Sequence, residues 1–188
     1  MMTKVFIGGS RKMSKLSTDV RSRLDRIIAK RLAVLVGDAN GADKAVQTYL
    51  RSKGYTDVEV FCAGGACRNN QSGWPIRAVP SDDKRGSFDF YASKDRAMAD
   101  EASVGLMLWD GKSKGTLMNV RRLLEAGKSV AVYVGPCKQF VDLKRMSDWE
   151  QFVSAHASDL GARVSAQSGI GTARREATPN GALFTDRS

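Results

Sequence analysis

Residues 33–50 read AVLVGDANGADKAVQTYL and give the clearest indication of the fold class. The first four are an apolar run that stops at Gly37, which is typical of a buried strand followed by a tight turn. From Ala42 onward, apolar residues recur at spacings of three and four, the pattern of an amphipathic helix, and Gly54 offers a C-terminal cap. A buried strand that runs directly into such a helix is typical of α/β proteins.

The same alternation of strand and helix continues in both directions along the chain. Each predicted strand is a nearly continuous apolar run, as in parallel sheets that are covered on both faces. We therefore predict a Rossmann-like, doubly wound, mainly parallel sheet of five strands with helices on both faces. The strands are predicted at residues 5–7, 33–36, 58–61, 104–109 and 130–134, and the helices at about 16–32, 42–50, 90–102, 117–124 and 149–160.

Two segments lack this periodicity. Residues 64–89 are rich in Gly, Asn and Pro and form a loop much longer than the usual ~4–6 residues, so we predict a partly ordered lid or binding loop. Residues 163–188 are rich in Gly, Ser, Ala, Thr and Arg and are predicted to be a flexible tail. The predicted domain therefore spans residues 1–162, with the long loop as an insert.

Composition excludes several protein classes. The chain has 188 residues, of which 42% are hydrophobic and 27% charged, ordinary values for a globular protein. No apolar run approaches the ~20 residues that span a bilayer, and the N-terminus lacks a signal-peptide core, so we expect a cytoplasmic protein without a membrane partner. Three cysteines are an odd count, so no disulfide framework is expected, and Cys62 and Cys67 are interpreted as small structural residues. The single histidine, His156, is interpreted as a packed residue of the last helix, which leaves too few ligands for zinc; neither metal nor cofactor is predicted.

The charge is positive and uneven. The net charge is +10, and nine basic residues lie within residues 1–31. Such a surplus favours anionic partners such as nucleotides, phosphates or a nucleic-acid backbone, although a solvated helix face would have the same composition. The basic residues that would contact a nucleic acid are Arg11, Lys12, Lys15, Arg21, Arg23, Arg26, Lys30 and Arg31.

Three predicted strand ends carry residues suited to an anionic ligand, which in open parallel sheets binds outside the carboxyl ends of the strands. The first is the turn of residues 8–11. Gly8 and Gly9 allow the backbone to approach a ligand closely, Ser10 offers a hydroxyl, and Arg11 supplies a forked donor suited to phosphate.

The other two strand ends combine glycines with the start of a helix. Unpaired amides and the positive end of the helix dipole make such starts anion sites, although neither loop has the Lys-Ser/Thr of a Walker A motif. Asp43 either caps the helix, contacts a ligand hydroxyl, or does both, and Trp109 either stacks on a base or packs in the core. The candidate ligand-binding residues are Gly37, Asp38, Asn40, Gly41 and Asp43 in the second loop, and Trp109, Asp110, Gly111, Lys112, Gly115 and Thr116 in the third.

Taken together, these segments resemble the SLOG superfamily. The matching stretches are residues 5–11, 36–43, 94–98 and 111–116, and the YspA-type branch is the most similar. The superfamily also contains the LOG nucleotide glycosidases and the DNA-processing protein DprA. The resemblance implies a Rossmann-type fold with a pocket for nucleotides or ADP-ribose-like ligands, and it assigns the three loops to that pocket.

The chain departs from the LOG glycosidases at one position. Their catalytic glutamate lies three residues after the loop threonine, and here Asn119 occupies that place. An amide neither carries the charge of a carboxylate nor acts as a base, so hydrolysis would require another acid. Asp95, Asp43 and Asp110 are nearby carboxylates, and Arg96 is the counterpart of a LOG arginine. We take Asp95 and Arg96 as the candidate catalytic pair.

Three functions are consistent with these residues. The first is binding of a nucleotide or ADP-ribose-like phosphorylated ligand by a sensor, carrier or sequestering module. The second is an N-glycosidase that acts on a nucleoside phosphate or ADP-ribose derivative. The third is a DprA-like protein that binds nucleic acid through its basic N-terminal region. The sequence leaves open whether the protein forms a homo-oligomer.

Overall fold

The computed structural model describes residues 2–156. The predicted tail, residues 163–188, and the last residues of the predicted domain and of its final helix lie outside the described residues. The elements in chain order are β1 (Lys4–Gly9), α1 (Thr18–Ala29), β2 (Ala33–Gly37), α2 (Ala42–Ser52), β3 (Val58–Ala63), β4 (Ile76–Val79), α3 (Phe88–Glu101), β5 (Val104–Trp109), α4 (Lys114–Glu125), β6 (Val130–Val134), β7 (Gln139–Leu143) and α5 (Met146–Ala155).

The strands form one sheet in the order β4-β3-β2-β1-β5-β6-β7. All neighbouring pairs are parallel except β6 and β7, which are antiparallel. Strands β1 to β4 follow one another in order toward one edge of the sheet. Helix α3 then returns the chain to the other side of β1, where β5 to β7 follow one another toward the opposite edge. The strand order therefore reverses between β1 and β5, the position at which α/β sheets bind ligands.

Helices cover both faces of the sheet, as predicted. On one face, α1 and α2 pack through residues such as Leu24 and Val46 on the side chains of Ile7 and Val36. On the other face, α3, α4 and α5 pack on alternate residues of the same strands, including Phe6 and Met107. The alternation of strand side chains between two apolar layers explains why each central strand reads as a continuous apolar run.

The predicted strand number of five is wrong, because the sheet has seven strands. The five predicted strands are present, and the two additional ones lie at the sheet edges. β4 lies inside the segment predicted as a long loop, and Ile76, Arg77 and Ala78 in it are exposed. β7, on the other edge, has two exposed residues, Gln139 and Asp142, and only Leu143 in it is buried. Edge strands are solvated, so neither has the apolar run that revealed the central strands.

The expectation that no disulfide forms is also wrong, since Cys62 and Cys67 are bonded. Cys62 lies at the end of β3, and Gly64 and Gly65 both have positive φ, which turns the chain back on itself. The two Cα atoms are thereby 5.1 Å apart. The odd number of cysteines is accounted for by Cys137, which is free and exposed. Cysteine count and spacing do not show such a local reversal of the chain.

The structure also shows the surroundings of His156, the arrangement of the potential metal ligands and the character of the helices. His156 packs against Trp109 and Phe152, with ring centroids 5.5 and 4.5 Å away, in agreement with its predicted structural role. In the part of the chain that the structure describes, no cluster of His, Cys, Asp and Glu is suited to hold a metal ion. Within residues 2–156, no helix combines the length and the hydrophobicity that crossing a bilayer requires.

Candidate functional site

A cavity of about 530 Å³ opens at the carboxyl end of the sheet, where the strand order reverses between β1 and β5. Its walls come from the turns after these two strands, the loop after β2, and the first turns of α3 and α4. Arg68 also reaches it from the segment after β3. The parallel sheet thus brings together parts of the chain that are up to 116 residues apart in sequence, from Phe6 to Arg122.

The turn after β1 forms one wall. A side chain at Gly9 would lie 2.5 Å from the Leu108 carbonyl and 2.8 Å from the Ala42 Cβ, so glycine lets α2 and β5 approach this turn closely. Ser10 Oγ donates a hydrogen bond of 2.7 Å to Asp110 Oδ2 and accepts one of 3.1 Å from the Lys12 amide. Ser10 therefore ties the turn after β1 to the turn after β5.

The turn after β5 leads into α4 through a set of hydrogen bonds centred on Asp110. Its Oδ1 accepts bonds from the amides of Lys112 and Ser113, at 3.0 and 2.7 Å. Burial acts to raise the pKa of Asp110, but the bonds from Ser10 and these amides outweigh it and hold that pKa below its ordinary value. Ser113 caps α4 by accepting from the Thr116 amide. Asp110 thus remains a carboxylate that shapes the loop.

The first turn of α4 keeps amides free to bind an anion. In the part of the chain that the structure describes, the amides of Lys114 and Gly115 have no acceptor, since a helix provides none for its first residues. Gly115 has no side chain to cover them, and Lys112 lies beside them on the cavity wall. Free amides, a helix dipole and a lysine together favour a phosphate or carboxylate here.

The floor of the cavity contains buried charges. Lys94, 4% exposed, and Asp43, 5% exposed, lie together, with 3.8 Å between Nζ and Asp43 Oδ2. Lys94 Nζ also bonds to Asp95 Oδ1 at 2.8 Å. A side chain at Gly37 would collide with both Asp43 and Lys94, so glycine is what leaves space for the pair.

The buried charges of Asp43 and Lys94 alter each other's pKa. Burial acts to lower the pKa of Lys94, but the carboxylates of Asp95 and Asp43 outweigh it and raise that pKa, so Lys94 stays protonated. Burial raises the pKa of Asp43 to about 6, although the Lys94 ammonium opposes the shift. Charged groups this deeply buried are uncommon in a structural core and are often found at functional sites.

Asn119 faces the cavity next to Asp95. Its Nδ2 donates to Asp95 Oδ2 at 3.0 Å, and its Oδ1 accepts a bond of 2.7 Å from Arg122. Its amide is therefore oriented by partners on both sides. The Asp95 carboxylate from α3 therefore lies directly beside the Asn119 amide.

Arginine and aromatic side chains complete the walls. Arg68 bonds to Asp38 through Nε at 3.0 Å and through NH2 at 2.6 Å. Burial acts to raise the pKa of Asp38, but the bonds from Arg68 outweigh it and keep that pKa low. The guanidinium carbons of Arg68 and Arg11 lie 4.3 and 5.1 Å from the centre of the Tyr91 ring. The sequence singled out Arg11 and Asp38 but not Arg68, because Arg68 lies in the aperiodic segment and pairs with a residue thirty positions away.

Many of the candidate residues line the cavity and others do not. Those that line it are Gly8, Gly9, Ser10, Arg11, Asp43, Asp95, Asp110, Lys112, Gly115, Thr116 and Asn119. Those outside its lining are Gly37, Asp38, Asn40, Gly41, Trp109, Gly111 and Arg96. Further lining residues that the sequence did not single out include Arg68, Phe88, Tyr91, Lys94, Ser113, Met118 and Arg122.

The candidates outside the cavity have identifiable structural roles. Trp109 is fully buried beside Phe152, so it packs in the core rather than facing a ligand. Gly41 has a φ of +85° and sits against the Arg11 backbone, and the adjacent amide of Ala42 bonds to the Ser10 carbonyl. The amide of Ala42 is thus used inside the protein. Arg96 is exposed and makes only a long contact with the Asp89 carbonyl.

The basic N-terminal residues do not form one surface. Arg11 and Lys12 line the cavity described above. Two basic residues of α1 and the lysine that follows it line a second cavity of about 330 Å³ beside the starts of β1, β5 and β6, at the opposite end of the sheet. These three are Arg23, Arg26 and Lys30.

Comparison with known proteins identifies a shared fold. No protein-family model matches the chain, and no curated protein matches it. A solved structure of DNA processing protein A (DprA) from Helicobacter pylori is similar to it with a TM-score of 0.55. The two sequences are 15% identical, and the match covers 85% of this chain and 74% of that one. That structure was solved in work on the single-stranded DNA binding mode of DprA. The chain therefore has an α/β fold similar to that of DprA.

Proposed function

We propose that the protein binds a phosphorylated, nucleotide-type ligand in the cavity between β1 and β5, as a sensor, carrier or sequestering module of the SLOG superfamily. One observation carries the proposal: free amides at the start of α4 share a cavity with Arg11 and Lys112 at the switch in strand order. Backbone amides and cations at such a position are suited to a phosphate group.

The charges of the cavity support an anionic ligand. Besides Lys94, five cationic residues line it, and its three carboxylates already have partners within the protein. Asp110 is held by amides, while Asp43 and Asp95 share Lys94. Its volume of about 530 Å³ lies within the range of small-molecule sites, roughly 300–1,000 Å³. The cations are Arg11, Lys12, Arg68, Lys112 and Arg122.

Calorimetric titration with AMP, ADP and ADP-ribose tests this proposal. In the double variant Arg11→Met/Lys112→Met, we expect the dissociation constant of a ligand that binds the wild type to rise at least tenfold, because charge-assisted bonds are lost. The control Arg21→Met/Lys44→Met removes the same two charges from exposed positions outside the cavity and should change affinity less than twofold. Equal weakening in both variants, or no binding by the wild type, would reject the proposal.

A second candidate function is binding of single-stranded nucleic acid. It is favoured by the fold similarity to DprA together with exposed basic residues on α1 and at its C-terminal end, among them Arg21, Arg26 and Lys30. Fluorescence anisotropy with oligothymidylate at several salt concentrations should then give a steep slope, roughly −0.7 per neutralised phosphate. Loss of affinity in Arg21→Gln/Arg26→Gln/Lys30→Gln would locate the contact on α1, whereas a flat salt dependence would exclude it.

The same protein and AMP also serve to test the N-glycosidase alternative. Its support is the Asp95 carboxylate in the cavity beside Asn119. Chromatography of AMP incubated with the protein should show free adenine if the bond is cleaved, and Asp95→Asn should abolish its release. Absence of adenine leaves binding as the function, whereas release that persists in Asp95→Asn excludes Asp95 as the catalytic acid.

A further inference from the structure

The mouth of the cavity carries exposed apolar side chains. In residues 2–156, four large hydrophobic residues are exposed: Met2, Ile76, Phe88 and Met118. Phe88, 54% exposed, and Met118, 43% exposed, both line the cavity. Single exposed apolar side chains are common on proteins, but two on the rim of one polar cavity are a local concentration that favours an apolar contact.

Phe88 and Met118 lie on two different helices, but both border the same part of the cavity. Phe88 is the first residue of α3, whose start is fixed by Ser87, which accepts a bond from the Phe90 amide. The Phe88 ring lies 3.9 Å from the position that a Gly115 Cβ would occupy. Met118 lies on α4, one turn after Lys114. Both therefore border the first turn of α4, where the free amides are.

Phe88 and Met118 thus form an apolar rim beside the anion site at the first turn of α4. A phosphate alone would gain no binding energy from this rim. A nucleotide, in contrast, carries a planar aromatic base that is linked through its sugar to the phosphate. Aromatic rings stack on nucleobases, and methionine sulfur makes favourable contacts with aromatic rings. We propose, on the basis of the function proposed above, that Phe88 and Met118 form the contact for the nucleobase of the ligand whose phosphate binds at the first turn of α4.

The test compares ligands with and without a base. AMP and ribose 5-phosphate share the sugar phosphate, while oligothymidylate and inorganic polyphosphate are polyanions with and without bases. Calorimetry with the wild type should show AMP binding more tightly than ribose 5-phosphate. In Phe88→Ala we expect AMP affinity to fall roughly 5- to 100-fold, the usual range for one stacked base. Ribose 5-phosphate affinity should change less than twofold.

Three further variants complete the design. Phe88→Trp keeps an aromatic surface and should retain AMP affinity, while Met118→Ala should weaken AMP binding but not ribose 5-phosphate binding. Ile76→Ala removes an equally exposed apolar side chain from β4, outside the cavity, and should change neither affinity. Far-ultraviolet circular dichroism and urea unfolding establish that each variant is folded.

The outcomes separate this inference from the function on which it rests. If ribose 5-phosphate binds and AMP is no tighter, or if Phe88→Ala weakens both equally, the base contact is wrong and phosphate binding stands. If oligothymidylate and polyphosphate bind while AMP and ribose 5-phosphate do not, and Phe88→Ala weakens oligothymidylate but not polyphosphate, the base contact holds for single-stranded nucleic acid and the mononucleotide function is wrong. If none of the four compounds binds, both proposals fall.

Discussion

At the scale of single residues, the buried pair of Asp43 and Lys94 is the unusual feature. Removing two charges from water is costly, and their attraction offsets the cost only when further polar groups assist. Here the Ala39 amide donates to Asp43 at 3.1 Å, and Asp95 accepts from Lys94. The absence of a side chain at Gly37 gives the pair its space. The pair therefore depends on three neighbouring positions, Gly37, Ala39 and Asp95, from two different segments of the chain.

The pKa of Asp43 gives a testable pH dependence. Its ordinary value of 3.8 applies to the unfolded chain, and the folded value is about 6. Between these values the folded state binds more protons than the unfolded state, so this group's contribution to stability is present below pH 4 and is lost as the pH rises through 6. The loss is about 3 kcal/mol at most, from about 1.4 kcal/mol per pKa unit.

Comparison of the wild type with Asp43→Asn isolates this contribution. Urea unfolding at pH 4 and pH 7 gives two differences in the free energy of unfolding, in which other titrating groups largely cancel. We expect the variant to be more stable, relative to the wild type, at pH 7 than at pH 4. An equal difference at both pH values would show that Asp43 keeps an ordinary pKa. Asp142→Asn, at an exposed carboxyl of β7, is the control and should show little change.

At the scale of elements, the disulfide and the loop that follows it place Arg68 in the cavity. Cys67 directly precedes Arg68, whose backbone amide and guanidinium both bond to Asp38. The disulfide closes a short loop, five residues in sequence separation. It therefore restricts the segment between β3 and the first cavity residue of the loop.

Reduction of this disulfide should lower stability moderately. For a loop this short, the lost chain entropy of the unfolded state corresponds to about 2 kcal/mol. We expect Cys67→Ala, and the wild type in reductant, to lose about that much in urea unfolding, while Cys137→Ala, at the free exposed cysteine, loses almost nothing. Three free thiols in the unreduced, denatured wild type would show that the bond does not form.

The central elements were predictable from sequence and the peripheral ones were not. Apolar runs such as residues 104–109 revealed every strand that is buried on both faces. β4 escaped because its side chains are exposed and prolines flank it. The bond between Asp38 and Arg68 escaped for another reason, since nothing local in an aperiodic loop indicates a partner thirty positions away. Local sequence patterns indicate which residues are buried. Contacts between residues that are distant in sequence can be predicted only when the topology of the fold is known.

At the scale of the whole molecule, strand order determines which strand ends can share a ligand. The sequence indicated glycine-rich turns after three strands, but it did not give their order in the sheet. Because β1 lies between β2 and β5, the turn after β1 contacts both of the others. The same topology separates Arg11 and Lys12 from the basic residues of α1 that line the second cavity, at the opposite end.

This separation predicts a one-sided response in amide hydrogen exchange. With saturating AMP, exchange should slow in residues 8–12, 86–92 and 110–119, which surround the first cavity. At a hundred times the dissociation constant the stabilisation is about 2.7 kcal/mol, enough to slow locally opening amides up to roughly 100-fold. Fast-exchanging amides in residues 23–32 and 142–144 should not respond, because they lie at the second cavity. At the same AMP concentration, Arg11→Met/Lys112→Met should reduce this slowing roughly tenfold or more, in line with its weaker binding. Protection confined to the second cavity would move the ligand to the opposite end of the sheet.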